Sequence, residues 1–326
     1  MKIGIDNYSL APLGLSPLDV LVWAHENGGE GVQFSGLRAE ERGPMDTVYL
    51  RDLAGYAADQ GLYLEWGGGQ HIPLDIQTWE SKDIFPINRK AAEEAAVLGA
   101  RIIRSCSGGL MRWDKQSPAT DTFLKLMSEA LRAQRQMLID HDVILALETH
   151  FEFTTFELLR LFEMCEAEPG EYLGICLDTM NLLTMLEDPV SATERVLPWV
   201  VSTHIKDGGI VLHEKGLETF TAEIGKGIVD IKRIVQLLGR LSHDVNLSIE
   251  DHGGEFLLPI FDDGFLAEFP DLTLMEFIKL LRLAQTSKKA IEAGRLSPIT
   301  RENWPALCEA RVLKDLQALA TIVAEL

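Results

Sequence analysis

The chain has 326 residues, 46% hydrophobic and 25% charged, enough apolar material for a sizeable core and a composition that excludes a disordered polymer. Thirty basic against fifty acidic side chains give a formal charge of −20, which disfavours a nucleic-acid partner because phosphate binding depends on Lys and Arg. Cys106, Cys165, Cys176 and Cys308 form no CxxC pair, MKIGIDNYSL lacks a basic region followed by an apolar run, and no apolar stretch is long enough to cross a bilayer; a cytoplasmic protein with reduced thiols and no membrane association is expected.

Lys2 to Asp6 alternates like a strand, and Ser16 followed by Pro17 opens a periodic helix to about Asn27, closed by glycines. Gly31 to Ser35 reads as a second strand and Asp46 to Gln60 as a helix. Leu62 to Trp66 is a third strand running into Gly67, Gly68 and Gly69. The alternation continues with a helix over Lys82 to Leu98, a strand over Arg101 to Ser105 and a long helix over Asp121 to Asp140. The fifth strand is VILALETH, residues 143–150, after which Thr154 or Thr155 caps a helix to Glu166. Strand six is LGICLD, ending at Asp178, and a short helix covers Val190 to Val196. Strand seven, VVSTHIKD, carries His204. Gly225 and Gly227 then permit a tight loop, and Asp230 is placed to cap a helix to about Arg240. Strand eight, VNLSIEDH, carries Glu250, and Thr273 opens the last barrel helix.

Eight β/α pairs predict an α/β fold, a (β/α)8 TIM barrel over residues 1–285, with a C-terminal helical extension over 286–326 packed on the barrel or at an interface. His252 to Pro270 carries Phe256, Phe261, Phe265 and Phe269, and a loop of that length reads as a lid or an interface.

Strand parity places the chemistry. In strand five Ile144, Ala146, Glu148 and His150 share one face and Val143, Leu145 and Leu147 the other. Strands six to eight repeat the pattern, with outward aliphatic sets (Leu173, Ile175, Leu177; Val201, Thr203, Ile205; Leu247, Ile249) and inward small or polar ones. Four successive strands thus end in Glu148, Asp178, His204 and Glu250 at one rim. Taken singly, each acid reads as a helix cap or salt-bridge partner. Together, three clustered carboxylates would repel one another without a cation, and hard oxygens with one nitrogen suit a divalent metal, Mn²⁺ first, with Mg²⁺, Co²⁺ or Zn²⁺ as alternatives.

LALETH, CLDTMN, STHIKD, IGKGIVD and SIEDH resemble the xylose-isomerase-like superfamily of sugar phosphate isomerases and epimerases, over roughly residues 1–285. The resemblance implies one divalent metal held by Glu148, Asp178, His204 and Glu250, with Glu148 and Glu250 moving a proton on opposite faces of a sugar. The sequence departs from the ketose epimerases of that family, which carry a His where Asn181 stands and an Arg where Ile210 stands. This departure suits oxidised sugars, as in 3-keto-glycoside epimerases and the catalytic subunit of C-glycoside deglycosidases, which eliminates an aglycone and pairs with a small β subunit.

His150, two residues along the inward face from Glu148, is a candidate general acid or base, or a histidine bonded to the next helix start. Lys206 is a candidate to neutralise an enolate or to pair with a ligand carboxylate, and Asp207, of outward parity, reads as structural. His71, Asn181 and Trp113 are candidate substrate contacts, with loop or packing roles as their alternatives; for Trp66 packing is the commoner use. No nucleotide loop is present. The expected function is a metal-dependent isomerase, epimerase or lyase acting next to the carbonyl of a keto-sugar or 3-keto-glycoside. The chain is expected as a homo-oligomer or with a small β subunit. An abasic-site endonuclease and a non-catalytic binding subunit are the competing readings; the first is opposed by the net charge and by only eight histidines, the second by the intact E, D, H, E set.

Overall fold

The computed structural model describes residues 1–35, 47–106 and 108–326. Eight parallel strands close a barrel: β1 (Ile3–Asp6), β2 (Gly31–Phe34), β3 (Tyr63–Gly69), β4 (Ile102–Ser105), β5 (Ile144–Glu148), β6 (Leu173–Asp178), β7 (Val200–Ile205) and, later in the chain, β10 (Leu247–Ile249), which pairs with both β7 and β1. The chain is a TIM barrel, as the alternation predicts.

Helices α1 (Pro17–Glu26), α2 (Thr47–Gln60), α3 (Phe85–Leu98), α4 (Thr120–Asp140) and α5 (Thr155–Met164) cover the outside of the first five strands. The expected first residue of the second helix, Asp46, lies outside the described residues. Leu21, Leu53, Ala95, Leu131 and Leu161 are fully buried on the inner faces of these helices, against outward residues such as Leu145, Leu147 and Ile175. Ser16 caps α1 by accepting from the Asp19 amide, and Thr154 forms a reciprocal capping box with Glu157 that starts α5.

One parity expectation is overturned. Val201 faces the barrel interior, with Ile144, Ala146 and Cys176, instead of the helices. The β6–β7 register shifts between Ile175 and Cys176, which turns Val201 inward, and its methyls fill the space left by Gly174, where a Cβ would lie 2.6 Å from Val201 Cγ2.

After α6 (Asn181–Thr184), α7 (Pro189–Val196) and β7, the chain makes a hairpin of β8 (Asp207–His213) and β9 (Gly216–Ala222), joined by β11 (Glu255–Leu258) into a three-stranded antiparallel sheet. The Phe-rich stretch therefore contains a strand and the short helix α9 (Asp263–Ala267). Asp207 fastens the loop behind this sheet by accepting from the amides of Gly208, Gly225, Gly227 and Val229 at 2.7–3.1 Å. Asp230 caps α8 (Ile231–Leu238).

Helix α10 (Leu274–Glu292) packs on β8, where buried Ser287 accepts from the Ile210 amide at 3.1 Å. The last helix, α11 (Trp304–Ala324), lies against β1, β10, α8 and the 3-10 turn at Asn7–Leu13, so it is α11 that covers the seam between the eighth strand and the first. Trp304 anchors it by donating to the Ser9 carbonyl at 3.1 Å. Among the described residues no helix is long and apolar enough to cross a membrane.

Candidate metal and substrate site

The C-terminal ends of β5, β6 and β7 bring Glu148, Asp178 and His204 together, all at least 95% buried, with one donor atom from each lying within 4.8 Å of the others. Adjacent strands in register produce this: Asp178 pairs with His204, and Glu148 with Cys176 two residues before Asp178. The backbone holds Asp178 as a cap. Its Oδ1 accepts from the amides of Met180 and Asn181 at 2.9 and 2.8 Å, leaving Oδ2 directed elsewhere, 3.0 Å from the Lys206 ammonium. The cap reading and the ligand reading of this residue are therefore compatible, one oxygen for each.

His204 is oriented from behind. Its Nε2 meets the Gln33 Oε1 and lies 3.4 Å from Asp6 Oδ2, whereas Nδ1 faces Glu148 Oε1 at 3.3 Å. The Gln33 amide cannot be turned the other way, because its Nε2 donates to Glu65 and to Ser202. Gln33 Oε1 must then accept and His204 Nε2 must carry hydrogen, which fixes the ring with Nδ1 toward Glu148. Glu65, which also receives Ser202 and Asn246, thus orients His204 through the Gln33 side chain between them.

Glu250 follows β10 and meets the Lys206 ammonium, which also lies 3.0 Å from Asp178 Oδ2. Glu250 is thus held across Lys206 and does not join the close cluster of the other three. Arg104, from the end of β4, pairs with Glu148 and donates to the Ser35 carbonyl. Burial opposes the ionisation of Glu148 and Glu250, but Arg104 and His204 outweigh it at the first and Lys206 at the second, holding Glu148 well below the usual range and Glu250 at about 2. At Asp178 burial prevails over Lys206 and the carboxyl is pushed up. Burial also works against the charge on Lys206, yet Asp178 and Glu250 raise it above its ordinary value.

These groups open on a cavity of about 460 Å³, large enough for a small sugar. Asn181, His150, Lys206, Glu148 and Glu250 line it. His150 Nδ1 bonds the buried Glu152 carboxylate at 3.1 Å, with the Cys106 thiol on the same cluster. Two expected contacts do not line it. His71 is buried behind the wall, bonded to Ser105 Oγ at 2.8 Å and edge-on to Phe153. Trp113 donates to the Leu257 carbonyl, packs on Phe265 and faces a separate cavity of about 500 Å³. Trp66 is core, against Phe34.

Residues 21–265 match the model of the xylose isomerase-like TIM barrel family. The chain belongs to that family. It is 26% identical over 262 residues to a 3-oxo-isoapionate decarboxylase of Pectobacterium atrosepticum, covering 77% of this chain and 85% of the relative. Among solved structures it is similar to a probable 3-DHS dehydratase, AsbF, of Bacillus anthracis (TM-score 0.59, 20% identity, 82% of this chain and 97% of the other). It is also similar to the IOLI protein solved with a zinc atom (TM-score 0.58, 15% identity, 90% and 99%). The decarboxylase and the probable dehydratase are named as enzymes.

Sequence reasoning missed Gln33, Glu65, Asp6, Arg104 and Glu152. All but Arg104, which is part-buried, are buried, and all except Glu152 lie on barrel strands, so the available signal was a charged or amide residue within a short aliphatic run, as in GVQF, YLEW and IIRS.

Proposed function

We propose that this chain is a divalent-metal-dependent enzyme that opens a bond next to the carbonyl of a keto-sugar or 3-keto-glycoside, as an isomerase, epimerase or lyase. The observation that carries the reading is the convergence of Glu148, Asp178 and His204, with Asp178 Oδ2 free of the cap turn and the His204 ring oriented by Gln33 so that Nδ1 faces Glu148. The donor set fits a hard or borderline cation. Glu148, Asp178 and His204 would hold it, with Glu250 facing them across Lys206; Mn²⁺ is the first expectation, and the zinc in the IOLI protein supports a divalent ion of this type. Bound there, the cation supplies Lewis acidity that lowers the cost of negative charge at a carbonyl oxygen.

The chain's own residues do the rest. Glu250, ionised and on the cavity wall, takes the proton from the carbon beside the carbonyl, and Glu148 serves the opposite face in an epimerisation. The Lys206 ammonium, within reach of Asp178 and Glu250, balances the charge that develops on the substrate. Burial works against a proton on His150, but Cys106 and Glu152 raise its affinity well above the ordinary value, so it acts as the acid that returns a proton or assists a leaving group. Asn181 orients the substrate from the cap turn.

A second reading is favoured by the decarboxylase relative: loss of CO2 from a 3-oxo acid leaves the same type of enolate with no base required, and His150 or Lys206 would protonate it. Mn²⁺-loaded protein incubated in D2O with free ketoses, 3-keto-glucosides and 3-oxo sugar acids, followed by NMR, separates these cases. Deuterium entering next to the carbonyl without loss of CO2 supports the first reading, and CO2 release, with deuterium in the decarboxylated product, the second. No reaction of any carbonyl substrate, in protein shown to contain the metal, overturns both.

A further inference from the structure

The segment after α10 reaches back to the active-site mouth. Gly254 donates its amide to the Ile299 carbonyl at 2.9 Å, and a Cβ on Gly253 would lie 3.0 Å from the Thr300 carbonyl oxygen. Residues 299–301 are thus docked by backbone against the loop that follows Glu250. Gly254 has φ +116°, and a Cβ there would lie 3.0 Å from Arg301 Nε and 3.1 Å from its Cγ. Two glycines let the loop pass beneath the Arg301 side chain. The guanidinium sits 5.8 Å from the centre of the Phe256 ring and lines the same cavity as Glu148, Lys206 and Glu250.

Arg301 differs from the other strong cations at the mouth. Arg104 is taken by Glu148 and Lys206 by Asp178 and Glu250, but Arg301 forms no ion pair with a described residue. A neutral sugar leaves the Arg301 guanidinium unmatched at the cavity wall; a substrate with one carboxylate matches it.

We propose that Arg301 is the specificity-determining residue that pairs with the carboxylate of an anionic, sugar-acid substrate. The proposal rests on the functional reading above for the location of the site, but its test reads binding and not turnover. A guanidinium suits this role because it offers two parallel N–H donors to a carboxylate, with the Phe256 ring 5.8 Å away on one side of it.

The test compares ligands that differ only in the terminal group. Calorimetric titration of the metal-loaded full chain with D-gluconate and D-glucitol, and with L-threonate and L-threitol, should show each aldonate binding at least about tenfold tighter than its polyol. Arg301→Ala should remove most of that preference and leave polyol affinity unchanged, and Arg301→Lys should restore part of it. The side chain is exposed, so the variant should melt with the parent, and the melting curve checks this. Equal affinity for aldonate and polyol overturns the proposal. So does a preference that survives Arg301→Ala, because the carboxylate is then held by other groups. If the preference depends on Arg301 while no carbonyl substrate reacts, the assignment of the anion site stands and the functional reading falls; turnover of neutral keto-sugars without any preference gives the converse.

Discussion

His71 shows how one residue can be recognised and misplaced at once. Its position after the third strand's glycines made it a rim candidate, yet β3 continues through Gly69 and carries the histidine into the wall, bonded to Ser105. Burial presses its pKa down to about 4, from an unfolded value near 6.5. The folded protein therefore refuses a proton that the unfolded chain accepts between those values. The stability tied to the neutral ring is complete above pH 6.5 and is lost as pH falls toward 4. From pH 6.5 to 5 the loss from this one site is roughly 2 kcal/mol, at about 1.4 kcal/mol for each pH unit. His71→Gln keeps a polar partner for Ser105 and removes the titration. Urea unfolding at pH 6.5 and 5 should show the variant losing that much less than the parent, and equal losses would mean that the imidazole is hydrated.

At the scale of elements, the barrel strands were legible because each has one aliphatic face and one face ending in chemistry, a pattern of period two that survives errors in strand ends. Glu148, Asp178, His204 and Glu250 could be located for the same reason. The hairpin was not legible. Only Lys206 separates β7 from β8, so STHIKDGGIVLH reads as one continuous alternation, and the close pairing of Gly209 with Phe220, where a Cβ would lie 2.3 Å from the ring, is visible only once β9 is in place. Asp207 is the residue that makes the break. Its two oxygens each accept from two backbone amides, tying the start of β8 to the Gly225–Val229 loop. Asp207→Asn keeps the size but offers one acceptor, so two buried amides meet an N–H group. The expected cost is roughly 2–4 kcal/mol, read as a fall of several degrees in the melting temperature. Gly227→Ala should act in the same direction, since its Cβ would lie 2.0 Å from Asp207 Oδ1. A melting temperature unchanged in both would show that the loop is held by other contacts.

For the whole molecule, the sequence gives a strongly acidic chain, and the fold gathers a share of that acidity at one end of its barrel. Burying Asp6, Glu148, Asp178 and Glu250 together is unfavourable unless cations accompany them, and Lys206 and Arg104 do so only in part. Asp178 Oδ2 and Glu250 Oε2 share the single Lys206 ammonium, and Asp6 Oδ2 has only His204 Nε2 at 3.4 Å. A divalent ion that binds this arrangement and not the unfolded chain stabilises the fold by mass action, by about 2.7 kcal/mol at one hundred times its Kd. Protein stripped with a chelator should therefore melt several degrees lower than the parent, and Mn²⁺ or Zn²⁺ should restore it in a concentration-dependent way. Asp178→Asn removes one hard donor while its Oδ1 can still accept from the Met180 and Asn181 amides, so the apo variant should fold, and its own melting temperature, lowered by the lost charge opposite Lys206, is the baseline. The metal-dependent rise should be largely abolished in that variant. A full metal response in Asp178→Asn would place the stabilising ion elsewhere on the acidic surface; no response in the parent would mean that Lys206 and Arg104 suffice to hold the carboxylates together.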